Sequence, residues 1–412
     1  MPDTANVVVI GAGIIGLCTA VQIRRRSSAR IVVVDKGIGP GEGSTGASSA
    51  ICRFRYSRPE TVGLALDGAR VYRNWGEFLR ADQTTASFNN DGVLWLALDD
   101  HTVSEEVSRL TALGVRVERL SDRDVRERYP ALNTCILAPD LEAPQGHKCV
   151  SDGQHLLEVD GGHVDPSYAL GDLIDAARRM GIEVRFRAPV VDVVVANSAV
   201  KGVGLADGTA ISCEYVVNAA GPWCNSILER AGVASGWPLT PTRIQIVHAD
   251  RSASIKGHIP VCVDLAAGIY FRTQNQGQQL IVGSVLEADE LEVVTDPDHF
   301  ATYVDDEFVR TKLHALQHRV PGFDYVGQIR GYSGLYTINR RDVHPVVGET
   351  AIKGLYTASG CSGHGFKLAP AIGSLLAQAI TGQRDEFDTS VDAHFLALTR
   401  NPIVVATKSA LA

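Results

Sequence analysis

The chain has 412 residues, 45% hydrophobic and 21% charged, with 40 glycines and 8 cysteines. That composition supports a large core and excludes a disordered chain, a fibre or a disulfide-stapled miniprotein; at ~150 residues per domain it allows two to three domains. A formal charge of −8 argues against general binding of nucleic acid, though a small anion needs only one or two local cations.

Residues 6–36 read NVVVIGAGIIGLCTAVQIRRRSSARIVVVDK. Val7–Ile10 is a short continuous apolar run, as expected of a parallel strand buried on both faces. Gly11, Gly13 and Gly16 follow as G-x-G-x-x-G: one for the tight turn, one for approach to a pyrophosphate, one for helix–strand packing. A helix is expected from about Gly13 to Arg26, then a strand Ile31–Val34 ending in Asp35, an acceptor for a ribose hydroxyl. The set points to a dinucleotide. Asp35 disfavours a 2′-phosphate, but the motif alone does not separate NAD from FAD.

Residues 37–58, GIGPGEGSTGASSAICRFRYSR, read either as a mobile surface loop or as a second cradle for a bulky cofactor followed by a charged ligand for substrate. One helix is expected over 59–79. In GGHVDP, Asp165 is a candidate N-cap with Pro166 at the first helical position, and Gly181 a stop. Strands are expected at 182–186 and 190–195, with a hairpin turn at Asp207-Gly208. A further strand runs into NAAGPW, residues 218–223, where small residues let backbone approach a flat cofactor. Short alternating strands are expected at 243–248, 259–263, 268–272 and 279–282, and a helix over 305–318. Near the end, a strand at 355–358 meets SGCSGHGFK, and a helix begins near His364–Lys367. A helix start already favours anions, so a lysine there suggests an anion to be held.

The cysteines form no Cys-x-x-Cys pair, and no His/Cys cluster has zinc spacing; reduced, mostly buried thiols and no metal are expected. Asp3 stands where a signal peptide carries a basic flank, and no run approaches the ~18 apolar residues of a membrane span, so a cytoplasmic protein is expected.

Six stretches, VVVIGAGIIG, GSTGASSAICRFRYS, GGHVDP, VVNAAGPW, GLYTINRRDVHPVVG and SGCSGHGFKLAPAIG, span residues 7 to about 380. In that order they resemble the D-amino-acid oxidase-like family of FAD enzymes, and most of all its sarcosine oxidase branch. The resemblance implies an α/β (α+β) fold. A Rossmann-like FAD domain would be assembled from 1–85, 150–232 and 325–383. A substrate domain with a large antiparallel sheet would comprise 86–149 and 233–324, followed by an extension, 384–412. It implies FAD contacts at Gly11, Gly13, Ile14, Ile15, Gly16, Asp35, Lys36, Ser44, Thr45, Ser48, Ala50, Ile51, Val190, Ala220, Gly221, Trp223, Gly363, His364, Gly365, Phe366 and Lys367. His364 is expected to contribute backbone rather than act as a base.

Arg53, in R-F-R-Y, matches the arginine that binds the substrate carboxylate in that branch, and Lys367 the lysine that shares the task. A guanidinium fork suits a carboxylate, and an ammonium adds a second positive point. Tyr336 and Tyr270 match aromatic positions lining the pocket, whereas Arg55 and Arg58 are expected to face solvent. The implied reaction is oxidation of the C–N bond of a small secondary or N-alkyl amino acid, with hydride passing to flavin N5 and the imine then hydrolysed. Partners would be a small anionic amino acid and either O2 or another electron acceptor, in a homo-oligomer or a larger complex.

Three positions depart from the branch. Gly334 replaces the cysteine that attaches FAD covalently, so non-covalent FAD is expected. Ile281 stands where an oxygen-activating lysine is aligned, and Ala50 where a further arginine precedes Arg53. A dehydrogenase passing electrons to a partner, and a non-catalytic flavoprotein assembly factor, are the alternatives.

Overall fold

Apolar runs become inner strands in the computed structural model, which describes residues 3–141, 147–325 and 327–405. A six-stranded sheet runs in the order Val346–Glu349, Leu355–Ser359, Tyr215–Asn218, Val7–Ile10, Ile31–Val34, Glu183–Arg185. All its neighbours are parallel except the first pair. Its two faces follow the strand period of two. Val7, Val9, Ile31 and Val33 pack with helices Ile14–Arg26 and Gly365–Thr381. Val8, Ile10, Val32 and Val34 pack against a four-stranded sheet that includes the hairpin turning at Asp207-Gly208.

The second large sheet has eight strands, in the order Ile329–Asn339, Leu239–Asp250, Gln279–Ser284, Ile269–Gln274, Val261–Asp264, Val93–Leu98, Gln154–Glu158, Val117–Ser121. One face, with Val247, Phe271 and Val282, is covered by helix Asp306–Arg319. Alternation puts Tyr270, Arg272, Tyr332 and Tyr336 on the other face, towards the first sheet. The structure departs from expectation in which sheet some segments join. Gln154–Glu158 and Ile329–Asn339, read from sequence with the FAD part, hydrogen-bond into the eight-stranded sheet. Alternation fixes which side chains share a face, not which edge a strand will find.

Helix termini follow their caps. Asp165 accepts from the Ser167 and Tyr168 N–H groups, and Gly181, at φ +71°, ends that helix just beyond its C-cap, Met180. The expected helix over 59–79 is two, Pro59–Arg73 and Trp75–Leu79. It breaks at Asn74, whose amide donates to the Arg70 carbonyl (2.7 Å) and competes with the helical bonds. The terminal extension packs down: Arg25 lies 4.8 Å from the Phe387 ring and pairs with Asp385 (3.1 Å), and buried Arg400 pairs with Asp342 (2.5 Å). No helix among the described residues is long and apolar enough to cross a membrane.

Candidate active site

A cleft of about 540 Å³ opens between the C-terminal ends of the parallel strands and the open face of the eight-stranded sheet. That is where an open parallel sheet binds nucleotides. Gly11 sits at φ +107°, and a Cβ there would fall 2.5 Å from the Ala219 carbonyl oxygen. A Cβ on Gly16 would lie 1.9 Å from the Gly11 carbonyl oxygen. These two positions keep backbone and helix N-terminus close to the cleft, so the cradle admits a pyrophosphate. Asp35 accepts from the Ala12 (2.6 Å) and Gly37 (2.7 Å) N–H groups, which fix its carboxylate while each oxygen retains a lone pair. Thr45 accepts from the Ile14 N–H (3.1 Å), and Ser44 donates to the Leu335 carbonyl (2.5 Å). The 37–58 loop is therefore a second wall and not a free surface loop. The donor set, shape and glycine cradle fit FAD.

Most of the expected contact residues line this cleft: Gly11, Gly13, Ile14, Ile15, Asp35, Lys36, Ser44, Thr45, Ser48, Val190, Ala220, Gly221, Trp223, Gly363, Gly365 and Phe366. The structure places five elsewhere. Gly16 lies beneath the turn, its role being helix packing. Ala50, at φ +49°, and Ile51, paired with His163, lie past Ser48, the last residue of the loop to line the cleft. His364 is the buried N-cap of the last long helix, ring edge towards Tyr56 at 5.3 Å. Lys367 lies one residue past Phe366 and is buried. Gly334 has no room for a side chain: a Cβ would meet the Ala47 Cβ at 2.5 Å.

The four residues proposed for substrate form one electrostatic group. Arg53 is 5% exposed, its guanidinium 4.1 Å from the Tyr56 ring and 5.6 Å from that of Trp95. Beside it, fully buried Glu158 accepts from Phe54 N–H (2.5 Å), Arg55 N–H (3.2 Å) and Trp95 Nε1 (2.6 Å). Burial pushes that carboxyl up; these bonds and Arg53 pull it back. Burial, then the Arg53 charge, lowers Lys367 to about 7, and its Nζ lies 3.5 Å from the Gly363 carbonyl oxygen. Tyr336, on the cleft wall, is pushed far up by burial and by neighbouring Tyr270, with Arg53 opposing. Tyr270 lies over Gly283, where a Cβ would meet its ring at 2.3 Å, and burial raises it to about 12. Arg53, Lys367 and Tyr270 are not part of the broad cleft wall and stand behind its inner end.

Arg55 corrects an expectation. It is turned inward over Trp95 (4.6 Å) and pairs with Glu106 (3.6 Å). The indole offers a cation–π face that solvent does not. The Arg58 side chain is 41% exposed, beside Glu60. The absence of a His/Cys cluster at zinc spacing is likewise true of the sequence and not of the fold: Cys135, His147, Cys149 and His318 converge, and none of them lines the cleft.

Sequence reasoning missed two features. Lys36 pairs with Asp298 and lies 3.9 Å over the Trp223 ring, while Trp223 Nε1 donates to the same carboxylate (3.1 Å). These three residues line the cleft, and no local signal announces their contact. The other is Arg272 with Tyr332. Arg272 is buried and donates to the Ser49 carbonyl (2.8 Å), and Tyr332 donates to the Ala47 carbonyl (3.4 Å). Both lie an even number of residues from a selected tyrosine on the same strand, so alternation could have found them.

A model of the FAD dependent oxidoreductase family, DAO, matches residues 6–379, and the chain belongs to that family. It is therefore an FAD-dependent oxidoreductase, and family membership supports oxidation of amino acids or N-methyl amino acids as its class of reaction. It is 28% identical to FAD-dependent oxidoreductase domain-containing protein 1 of Xenopus laevis, over 92% of this chain and 79% of that one. It is 26% identical to N-methyl-L-tryptophan oxidase of Yersinia pestis, over 90% and 94% of the two chains. Among solved structures, L-proline dehydrogenase from P. horikoshii shares the fold, with a TM-score of 0.80 at 22% identity over 97% of this chain and 98% of that one.

Proposed function

We propose that this enzyme oxidises the C–N bond of a small secondary or N-alkyl amino acid whose carboxylate docks on Arg53 and Lys367. The carrying observation is the pair itself: buried Lys367, in the first turn of the last long helix, lies in electrostatic range of buried Arg53, which follows strand Ile51–Cys52, with Tyr336 and Tyr270 in the same group. Buried Glu158 offsets part of the repulsion between these like charges, and a substrate carboxylate would offset more of it. The similarity to an oxidase named for an N-methyl amino acid supports the same class.

FAD, when bound, supplies the two-electron acceptor for the hydride that leaves carbon. The protein's part is binding and orientation. Arg53, whose Nη1 already donates to the Arg55 carbonyl (2.5 Å), would offer further N–H donors to the carboxylate, and Lys367 a point charge. Tyr336 and Tyr270 keep their protons at neutral pH and provide neutral walls and hydroxyl donors. The substrate amine must arrive neutral, so that its lone pair can assist hydride departure. No basic side chain is required for that. Fixed geometry supplies much of the rate.

Lys367 imposes a pH signature. Its pKa is lowered to about 7, so its ammonium is present below that pH and lost above it. A carboxylate favours the ammonium, so its affinity falls by up to about tenfold per pH unit above 7. Acetate, which has no amine to titrate, is the suitable probe, with flavin spectral perturbation as the readout. Lys367→Met is expected to flatten the profile; an unchanged slope would detach Lys367 from the anion site.

The second reading concerns the electron acceptor. Ile281, aligned with the oxygen-activating lysine, is buried and apolar. Arg272, its partner across the strand pair, is engaged by the Ser49 and Thr273 carbonyls. This favours a dehydrogenase. Turnover of sarcosine, N-methyl-L-tryptophan, L-proline and glycine, followed by aldehyde or keto-acid release with O2 or a dye as acceptor, tests both readings. Product with dye but little with O2 supports the dehydrogenase. A flavin-loaded protein inert towards every secondary and N-methyl amino acid with either acceptor would remove the substrate assignment.

A further inference from the structure

Four soft ligands meet on the side of the eight-stranded sheet away from the flavin cleft. One ligand atom from each of Cys135, His147, Cys149 and His318 lies within 4.8 Å of all the others. Cys135 Sγ and His147 Nε2 are 3.4 Å apart, and the His147 and His318 rings meet edge to face at 4.6 Å. With Zn–S of about 2.3 Å and Zn–N of about 2.0 Å, a tetrahedral ion holds its S and N ligands about 3.5 Å apart. The apo cluster thus needs only a small contraction. His318 Nε2 is buried and has no hydrogen-bond partner among the described residues.

The surroundings are built. The Ile136 N–H donates to the Val150 carbonyl (2.9 Å), which sets the two cysteine-bearing segments side by side. Asn133 ties them to the C-terminal end of helix Asp306–Arg319. Its Oδ1 accepts from Cys135 N–H (3.0 Å), and its Nδ2 reaches the His318 carbonyl (3.0 Å) and Cys149 Sγ (3.5 Å). Its backbone exchanges hydrogen bonds with Arg319, itself paired with Asp264 at full burial. Such bonds orient metal ligands and are half of a metal site. Cys135 is buried while Cys149 is exposed, which gives an ion a way in.

We propose that Cys135, His147, Cys149 and His318 bind one Zn²⁺ as a closed Cys₂His₂ structural centre. Two thiolates and two imidazoles in a tetrahedral array select zinc over hard cations. Four protein ligands leave no open position, so the ion is structural. None of the four lines the flavin cleft. The ion staples Cys135, His147 and Cys149 to the far end of helix Asp306–Arg319. Metal binding releases the two thiol protons to solvent; no electron transfer is involved.

The test uses the flavin-loaded enzyme, reduced and stripped with a chelator, then titrated with Zn²⁺ or Co²⁺ alone. One equivalent per chain is expected, with a Kd at or below about 50 nM and a rise in melting temperature. Co²⁺ is expected to give ligand-field bands to the red of the flavin absorption. Cys149→Ser, at an exposed position, and His147→Ala are each expected to weaken binding at least hundredfold, abolish the zinc-induced rise in melting temperature and leave flavin content unchanged. Substoichiometric zinc, full affinity in Cys149→Ser, or a Cys135–Cys149 disulfide in protein isolated without reductant would each overturn the proposal.

Discussion

Arg53→Met is expected to lower kcat/KM for the amino-acid substrate about 30- to 5,000-fold while FAD stays bound. The range follows from the roughly 2–5 kcal/mol lost when one partner of a buried charge-assisted contact is removed. Arg53 is 5% exposed and lies outside the broad cleft wall, so the loss should fall on substrate and not on cofactor. Methionine preserves much of the side-chain volume over Tyr56 and Trp95. Steady-state kinetics beside the flavin-to-protein ratio make the check. Activity within threefold of the parent, or a parallel loss of flavin, would show that Arg53 serves the fold.

Gly11→Val is expected to yield protein that retains no FAD and melts well below the parent. At φ +107° a β-branched residue is strained, and its Cβ would enter the Ala219 carbonyl at 2.5 Å. Strain of about 1–3 kcal/mol adds to overpacking of about the same size. Gly171→Ala is the control: it lies within a helix where an added Cβ meets nothing within 4 Å, and is expected to be neutral or slightly stabilising. Flavin absorbance after gel filtration, with a thermal melt, decides. Full flavin retention in Gly11→Val would contradict the assigned cradle.

The dinucleotide half of the molecule was legible because its signals are local. Val7–Ile10, the three glycines and the strand ending at Asp35 are consecutive, and each residue's role follows from its own backbone. Asp165, Pro166 and Gly181 mark their helix for the same reason. The rest depends on partners far away in sequence. Arg55 reads as a solvated arginine until Trp95 lies under it. Lys36, Trp223 and Asp298 come from three distant segments, and nothing near any of them predicts their contact. Cys135 and Cys149 have unremarkable spacing until the Ile136–Val150 bond aligns them and His318 arrives from the end of a helix. The position of strand Ile329–Asn339 was lost similarly: its alternation fixed Tyr332 and Tyr336 on one face but not the sheet they would join.

The substrate-side reading also has an energetic logic. In the proposed substrate site Lys367, lowered to about 7, lies in electrostatic range of Arg53, and buried Glu158, which accepts from three donors of its own, faces both cations. On the proposed reading, a docked carboxylate would ease the repulsion between the two cations and hold the amino-acid Cα against the cleft that Phe366 and Tyr336 line.

The most direct measurement is an anaerobic visible spectrum of the flavin-loaded enzyme, recorded before and after adding sarcosine, N-methyl-L-tryptophan or L-proline. The oxidised flavin band is expected to bleach with at least one of them, and far more slowly in Arg53→Met under the same conditions. A band unchanged by every secondary and N-methyl amino acid, in protein that binds acetate with the expected pH dependence, would contradict the substrate assignment.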